Sequence, residues 1–495
     1  MYVLAAAVFG VLSFLAFDPV ALPLAMILGV AGLLAVLQRM TNSRTRAVAA
    51  VGAAFGLGFM IPLVWWMNAV SSGAYVGIVL CQFGFFALLA ICLRSVMKLP
   101  YWPLWGAAVW VGIEYLRGNY PFSGFPWGRL AHTSVDTPLA SYVRLIGTPG
   151  LSAVMFLAAA AIAYAAHGRK PKHVALALTS VLALLGIGAA LPTGIAGGHG
   201  TRQVALVQGD VPGLFGTWPP GEIFRKHVTE TEQLIADIST GKLRQPDFVL
   251  WPENSTDIDP VQNRGEDYKL RELSAALHAP ILVGGIFNGP TTKTAYNAGV
   301  VWDEYGAGDR YVKRKVVPYG EYVPFRSALG GLVPRFDRQI PRDMLPGKKS
   351  GVLEIAGVRI GDTICWDIAY DGNIRDNIEG GAEILVVQTS NASFTGTSQP
   401  DQQWKISRLR AIETGRYVLV PSTNGISGIV DPQGRTVARA ATQTPATLSA
   451  TVTLADGTTP GVRFGGMIEY ALVALSLVGL ILSRRRHGEP GRKGQ

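Results

Sequence analysis

Phe248-Val-Leu-Trp-Pro-Glu253 is a short apolar run that stops on a carboxylate. Such a run, bounded by proline and polar residues, reads as a buried strand. The same form recurs at Val204–Val207, Ile281–Ile286, Ile384–Gln388 and Tyr417–Pro421. Between these runs, Glu222–Ile238, Tyr268–His278 and Gln402–Thr414 mix charged and apolar positions as surface helices do. Strands alternating with helices imply an α/β domain with a layered sheet, spanning 196–463. No internal repeat or low-complexity tract interrupts it.

Outside that region the chain is much more apolar. Of 495 residues, 49% are hydrophobic and 16% charged, and the mean hydropathy is +0.28. A soluble enzyme is about one quarter charged, so part of this chain is expected in lipid. Spanning a bilayer takes about 20 apolar residues per helix. Seven segments before residue 196 come close: 2–17, 20–38, 47–69, 73–93, 100–116, 143–166 and 173–195. An eighth covers 464–483. The first lacks a basic leader and a small-residue cleavage site, so it is expected to be a membrane helix, not a signal peptide.

Loop charges suggest an orientation. Arg39 to Arg46, Arg94 with Lys98, and His167 to His173 follow the second, fourth and sixth segments, whereas the alternate loops carry few basic residues. The positive-inside rule then puts both termini in the cytoplasm, in agreement with Arg484 to Arg486, and puts 196–463 on the extracytoplasmic side. The expected division is 1–195 (seven helices), 196–463, 464–483 (one helix) and a basic, disordered tail 484–495, with a flexible junction at Gly194 to Gly200. The expected fold class is thus a multi-pass α-helical membrane domain of about eight transmembrane helices plus an extracytoplasmic α/β domain.

The net charge of +10 follows from the same loops. Because the basic residues flank apolar segments and form no single patch, they argue for an anionic leaflet and against nucleic acid. Cys81 and Cys92 lie in an apolar segment, where cysteine is an ordinary small hydrophobe. Cys365 is the one cysteine of the polar region, so no intramolecular disulfide forms there, and it is either an inert core residue or a reactive thiol.

Three residues at or near strand ends carry candidate chemistry. Glu253, held against an apolar run, loses solvation and gains basicity, although such a carboxylate can equally cap a turn. In Arg310-Tyr-Val-Lys-Arg-Lys315, a strand would put Lys313 and Lys315 on one face, which also suits a solvated basic strand. Cys365 closes the run Val358–Ile364 and needs a base or a cationic neighbour to attack as thiolate. The seven histidines are scattered and no HExxH occurs, so Cys-His, Ser-His-Asp and zinc arrangements are unsupported. A Glu–Lys–Cys set remains, and no metal or cofactor is expected.

In this order these residues resemble the nitrilase, or carbon–nitrogen hydrolase, superfamily. With the membrane segments, the chain is similar to the apolipoprotein N-acyltransferase family over nearly its whole length. The matching pieces are Val207-Gln-Gly-Asp210, Trp251-Pro-Glu253, Lys313 through Val317-Pro-Tyr-Gly-Glu-Tyr-Val-Pro324, Cys365, Arg408 through Arg416, Thr423-Asn-Gly425 and, among the membrane segments, Gly124-Phe-Pro-Trp127. The resemblance implies an αββα sandwich in which Glu253 is the general base, Lys313 steadies the tetrahedral intermediate and Cys365 is the nucleophile. The amide N–H after Cys365 would complete an oxyanion hole, with Glu321 as a supporting carboxylate. Trp218 corresponds to a tryptophan near the acyl site, with its spacing from Gln208 one residue off. The family's Cys-Tyr-Glu is here Cys365-Trp366-Asp367, and its Asn-Asp-x-Trp is Asn391-Ala-Ser-Phe394, which puts acyl or acceptor contacts at Trp366, Asp367 and Asn391 in question.

The implied reaction, in the bacterial inner membrane, moves an acyl group from a phospholipid through a thioester to the N-terminal amine of a diacylglyceryl-cysteine lipoprotein. A polyprenol-phosphate mannose synthase, associated with some relatives, is a further candidate partner. Phe325–Lys349 mixes apolar residues with arginines, as a membrane-dipping lid or a surface loop would. A membrane-tethered amidase or nitrilase shares the same triad, but eight helices favour a lipid substrate. A transporter would place polar groups within its spans. Glu114 with Arg117 is the clearest such pair and is expected to make a local structural contact.

Overall fold

The computed structural model describes residues 1–168, 171–211, 218–326 and 340–485. The chain divides into two compact units, Thr193–Thr459 and Met1–Pro192 with Pro460–Gln495.

The Thr193–Thr459 unit holds two sheets. The strands of the first are β1 (Gly198–Gln208), β2 (Phe248–Leu250), β3 (Ile281–Asn288), β4 (Thr294–Asp303), β5 (Gly306–Val312) and the short β6 (Asp343–Met344). Those of the second are β7 (Val352–Ile355), β8 (Val358–Ile364), β9 (Ile384–Gln388), β10 (Val418–Val420), β11 (Gly428–Val430) and β12 (Thr436–Arg439), while β13 (Ala446–Ala455) returns to the first. The orders are β13-β1-β2-β3-β4-β5, with β6 on β4, and β12-β11-β10-β9-β8-β7. Their centres are parallel, β1 with β2 and β3, and β8 with β9 and β10, and the flanking pairs are antiparallel except that the short β6 is parallel to β4. Parallel strands are covered on both faces, which is why the central runs are continuously apolar.

Helices Glu222–Ser239 and Arg264–Leu277 bury Phe224, Val228, Leu234, Leu270 and Leu273 against Val249, Trp251 and Ile281 of the first sheet. Helices Asp371–Glu379 and Gln399–Thr414 accompany the second sheet. The two sheets meet where Gly299 of β4 faces Gln388 and Asp362: a Cβ there would lie 2.3 Å from Gln388 Oε1 and 2.4 Å from Asp362 Oδ2. The layers are therefore α, β, β, α. The junction expected at Gly194 to Gly200 is shorter than its composition suggests, because β1 begins at Gly198 and pairs it with Ala455.

The other unit is helical: Tyr2–Phe14, Pro23–Arg39, Thr45–Leu63, Ser72–Val96, Trp102–Asn119, Val143–Gly168, Pro171–Ala190 and Pro460–Arg485. Among the described residues, five are long and apolar enough to cross a membrane: Thr45–Leu63, Ser72–Val96, Pro138–Gly168 with its 3-10 lead-in, Pro171–Ala190 and Pro460–Arg485. Tyr2–Phe14 and Pro23–Arg39 are apolar but shorter.

Glu114 and Arg117 have a local structural role, as expected, made by gripping one turn between them and not by a hydrogen bond to each other. Glu114 accepts from Arg129 Nε (3.3 Å), Trp110 Nε1 (3.1 Å) and the Leu130 amide (2.9 Å). Arg117 donates to the carbonyls of Trp127 (2.6 Å) and Gly128 (2.9 Å). A buried guanidinium satisfied by carbonyls fixes an irregular segment, here the Gly124-Phe-Pro-Trp127 turn.

Candidate active site

Glu253, Cys365 and Ser390 all lie just beyond the C-terminal ends of parallel strands, three residues after β2, one after β8 and two after β9. Open α/β sheets gather ligand sites at such ends. Pro252 and Glu253 reach their place by passing close over Gly284 of β3, where a Cβ would sit 2.3 Å from the Pro252 carbonyl.

Lys313 follows β5 directly and is 1% exposed. Its ammonium lies 3.2 Å from Glu253 Oε1 and 2.8 Å from Glu321 Oε1. Asn297 of β4 donates one amide group to both carboxylates, at 2.7 Å to Glu253 Oε1 and 2.9 Å to Glu321 Oε1. The remaining oxygens are held by backbone amides, Glu253 Oε2 by Ser390 (3.0 Å) and Glu321 Oε2 by Val317 (2.7 Å). Two carboxylates this close require a cation and donors between them. Burial works against the Lys313 charge, but Glu253 and Glu321 prevail and hold its pKa well above the usual lysine range.

Cys365 is a buried residue with φ of +54°, at the turn from β8 into the 3-10 helix Cys365–Ala369. A non-glycine residue in this left-handed region is strained and persists only where its surroundings fix it. Burial first, then the Glu253 charge, pushes the thiol up to about 12, while Lys313 and a hydrogen bond with Thr389 pull it down. The thiol therefore rests protonated beside a carboxylate able to take its proton and an ammonium able to meet a developing oxyanion.

Asp367 is fully buried, and its oxygens accept from the Tyr311 hydroxyl (2.7 Å), the Lys315 amide (3.0 Å) and Asn373 Nδ2 (3.0 Å). Trp366 donates its Nε1 to the Lys315 carbonyl at 2.6 Å. Together they bind the Cys365 turn to the segment that carries Lys313. Asn391 lies on the turn after β9, where its amide donates to Gln399 Oε1 (2.8 Å) and Gln403 Oε1 (3.1 Å). Trp218 packs partly buried against Val211, Ile223 and Ala392.

Three site groups were not anticipated: Asn297, Thr389 and the Ser390 amide. Asn297 is the one amide or charged residue of β4 before its terminal Asp303, which was its one sequence signal. Among the described residues no group of three or more His, Cys, Asp or Glu side chains is arranged to hold a metal ion.

A family model described as the apolipoprotein N-acyltransferase N-terminal domain matches residues 9–161, and one described as carbon-nitrogen hydrolase matches 204–459. An apolipoprotein N-acyltransferase of Mycolicibacterium smegmatis is 33% identical over 463 residues, covering 88% of this chain and 77% of that one. The chain belongs to the apolipoprotein N-acyltransferase family. A second family member, from Vibrio parahaemolyticus, is 27% identical and covers 96% of each chain. Among solved structures, Saccharomyces cerevisiae Nit3, a member of the nitrilase superfamily, is similar at a TM-score of 0.38 and 19% identity, covering 56% of this chain and 95% of that one. As a member of this family the chain is an acyltransferase, and its catalytic unit has the nitrilase-type architecture.

Proposed function

We propose that this protein transfers a fatty acyl group from a phospholipid to the N-terminal amine of a diacylglyceryl-cysteine lipoprotein, through a thioester on Cys365. The observation that carries the reading is the buried Glu253–Lys313–Glu321 cluster beside a strained, protonated Cys365. Glu253 takes the thiol proton as sulfur attacks the ester carbonyl, and Lys313 stabilises the oxyanion. Collapse of the tetrahedral adduct breaks the ester C–O bond and releases a lysophospholipid, which takes the proton from Glu253. The acceptor amine then attacks the thioester, Glu253 receives its proton, and the thiol re-forms as the amide leaves. Glu321 and Asn297 hold Lys313 and Glu253 in register throughout.

We further propose that all eight apolar helices cross the bacterial inner membrane, with residues 196–463 outside the cytoplasm. Tyr2–Phe14 and Pro23–Arg39 are short for a full span and would need local bilayer thinning or snorkelling flanks. A lipid donor explains why a nitrilase-type unit is joined to such helices. The Phe325–Lys349 stretch is a candidate membrane contact: Phe325 is exposed and Arg326 pairs with Asp343 at 2.7 Å, while Leu329, Leu332, Val333, Arg335, Phe336 and Arg338 lie outside the described residues. A polyprenol-phosphate mannose synthase is a further candidate partner, which co-purification from membranes would test.

The deciding experiment incubates the protein with phospholipid labelled on its acyl chain and asks whether hydroxylamine releases bound label. Label is expected on the wild type and on a Cys81→Ala, Cys92→Ala double variant, and not on Cys365→Ala. A wild type that takes no label, while Cys365 still reacts with thiol reagents, overturns the lipid-donor reading.

A further inference from the structure

Behind the catalytic cluster, two buried acceptors are pressed together between the sheets. The ideal Cβ position of Gly299 lies 2.4 Å from Asp362 Oδ2 and 2.3 Å from Gln388 Oε1, so the two oxygens flank one point on the inner face of β4. Neither residue has exposed surface. Among the described residues these oxygens meet no donor beyond the Thr363 amide beside Asp362. In a dry interior such a pair of acceptors is costly unless a proton lies between them.

Gln388 cannot supply that proton. Its Nε2 donates to the Trp251 carbonyl at 2.6 Å, which leaves Oε1 as the end facing Asp362. Turning the amide over would relieve Asp362 but set Oε1 against the Trp251 carbonyl oxygen. The proton must come from Asp362. A carboxylic acid has one O–H to donate and keeps an oxygen that can accept from the Thr363 amide. The titratable groups that act on Asp362 are Asp367 of the following turn, Glu253 beyond β2 and Tyr311 of β5, and none of the three is a cation. Burial first, then Asp367 and Glu253, opposes ionisation of Asp362.

Asp362 is in register with Val386 across the β8–β9 ladder, so Gln388 stands two residues further along on the same face. The end of β9 then makes three successive contacts with the site. Gln388 holds the Trp251 carbonyl, the Thr389 side chain bonds the Cys365 thiol, and the Ser390 amide donates to Glu253 Oε2 at 3.0 Å.

We propose that Asp362 is a neutral carboxylic acid whose O–H donates to Gln388 Oε1, which makes it a positioning residue for Glu253 and Cys365. The bond fixes the Gln388 amide on the carbonyl two residues before the base, and so sets the end of β9 between base and nucleophile. The positioning role rests on the acyl-transfer reading, whereas the hydrogen bond does not.

The bond is read by infrared spectroscopy of the full chain in dodecyl maltoside, which has no carbonyl. At pH 7, wild type minus Asp362→Asn is expected to show one protonated-carboxyl band, and that band should move in Gln388→Leu. The role is read by single-turnover acyl labelling of Cys365, well below each melting temperature. Asp362→Leu leaves Gln388 Oε1 unmet and is expected to slow labelling about tenfold at unchanged half-saturating lipid, the scale of one lost buried hydrogen bond. Gln388→Leu should slow it as much, and carries the test where Asp362→Leu does not fold. Asp362→Asn can make the same donation and should stay within about threefold of wild type. Its rate relative to wild type should rise with pH, as only the wild-type side chain can ionise. A side chain that serves stability alone would move the melting temperatures and leave the rates and their pH ratio unchanged, which overturns the positioning role. A difference spectrum without the band overturns the hydrogen bond, whether or not label is taken up. A wild type that takes no label ends the acyl-transfer reading and the positioning role with it, while the band separately upholds or overturns the bond.

Discussion

The Tyr311 hydroxyl donates to Asp367 Oδ2 at 2.7 Å, tying the strand that leads into Lys313 to the turn that carries Cys365. Asp367 is thus a positioning residue, and its carboxylate is spent on Tyr311, Lys315 and Asn373. Asp367→Ala strands three buried donors, each worth about 1–3 kcal/mol, and is expected to lower thioester formation by about 100-fold. Asp367→Asn keeps the shape and part of the bonding and should lose less. Tyr311→Phe removes one bond and should cost about tenfold or less. Single-turnover labelling of Cys365 measures all three, and an Asp367→Ala variant that acylates at the wild-type rate would refute the positioning role.

The thiol and its base should respond to mutation in opposite ways in two assays. Burial and the Glu253 charge both raise the Cys365 pKa to about 12, and Lys313 lowers it. Glu253→Gln removes one adverse charge, so alkylation by iodoacetamide at pH 8 should accelerate while acyl transfer falls by at least ~100-fold. Lys313→Met should slow both. Slower alkylation in Glu253→Gln would mean that Glu253 already draws the thiol proton in the free enzyme.

The sequence made the strand ends legible because buried parallel strands must be apolar and their C-terminal ends must then turn polar. Glu253 and Cys365 were read on that signal, and the layered α/β unit followed from its alternation; Lys313 follows β5, an antiparallel and largely exposed edge strand, and was singled out by its place in the basic run Arg310 to Lys315. Asn297 was hidden because its partners lie 44 and 24 residues away, a pairing that only the β3–β4 register sets. The Ser390 amide carries no side-chain signature at all. Glu114 was read with its helical neighbour Arg117, yet it pairs with Arg129, since the turn after that helix folds back over its own last residues. Spacing along a helix suggests contacts, and tertiary turns can override them.

His227 should give the catalytic unit an acid-sensitive edge. Its ring is fully buried against Trp251, and its Nδ1–H donates to the Ile223 carbonyl, 2.8 Å away. Burial drives its pKa from 6.5 down to about 4. In the unfolded chain the imidazole protonates near pH 6.5, and in the fold only near 4. Its contribution is therefore present above pH 6.5 and lost as pH falls from there towards 4, by roughly 3 kcal/mol at about 1.4 kcal/mol per pH unit. Scanning fluorimetry of wild type and His227→Gln between pH 7.5 and 4.5 should show the wild-type melting temperature falling more steeply. Parallel curves would exclude this histidine as the cause.

The inter-sheet contact at Asp362 predicts a trend of the opposite sign. Asp362 has no exposed surface, and among the described residues its carboxylate meets no side-chain donor, only the Thr363 amide nearby, while Gln388 Oε1 is left unsatisfied. Burial, with Asp367 adding to it, holds the Asp362 carboxyl well above the usual range. A protonated carboxyl kept in the fold favours folding at pH below its unfolded pKa, and that advantage declines as pH rises through and beyond it. Asp362→Asn cannot ionise, so its melting temperature should gain on wild type at pH 8, gain less at pH 5 and lose the gain only as pH approaches the unfolded value of about 3.9, with about 2–4 °C for each kcal/mol. Gly299→Ala probes the same contact sterically, because its Cβ would fall 2.3 Å from Gln388 Oε1 and 2.4 Å from Asp362 Oδ2. Overpacking of this kind costs about 1–3 kcal/mol, so that variant should melt lower at every pH. If Asp362→Asn shows no pH-dependent gain, the carboxyl is ionised in the fold and a cation or water must reach it.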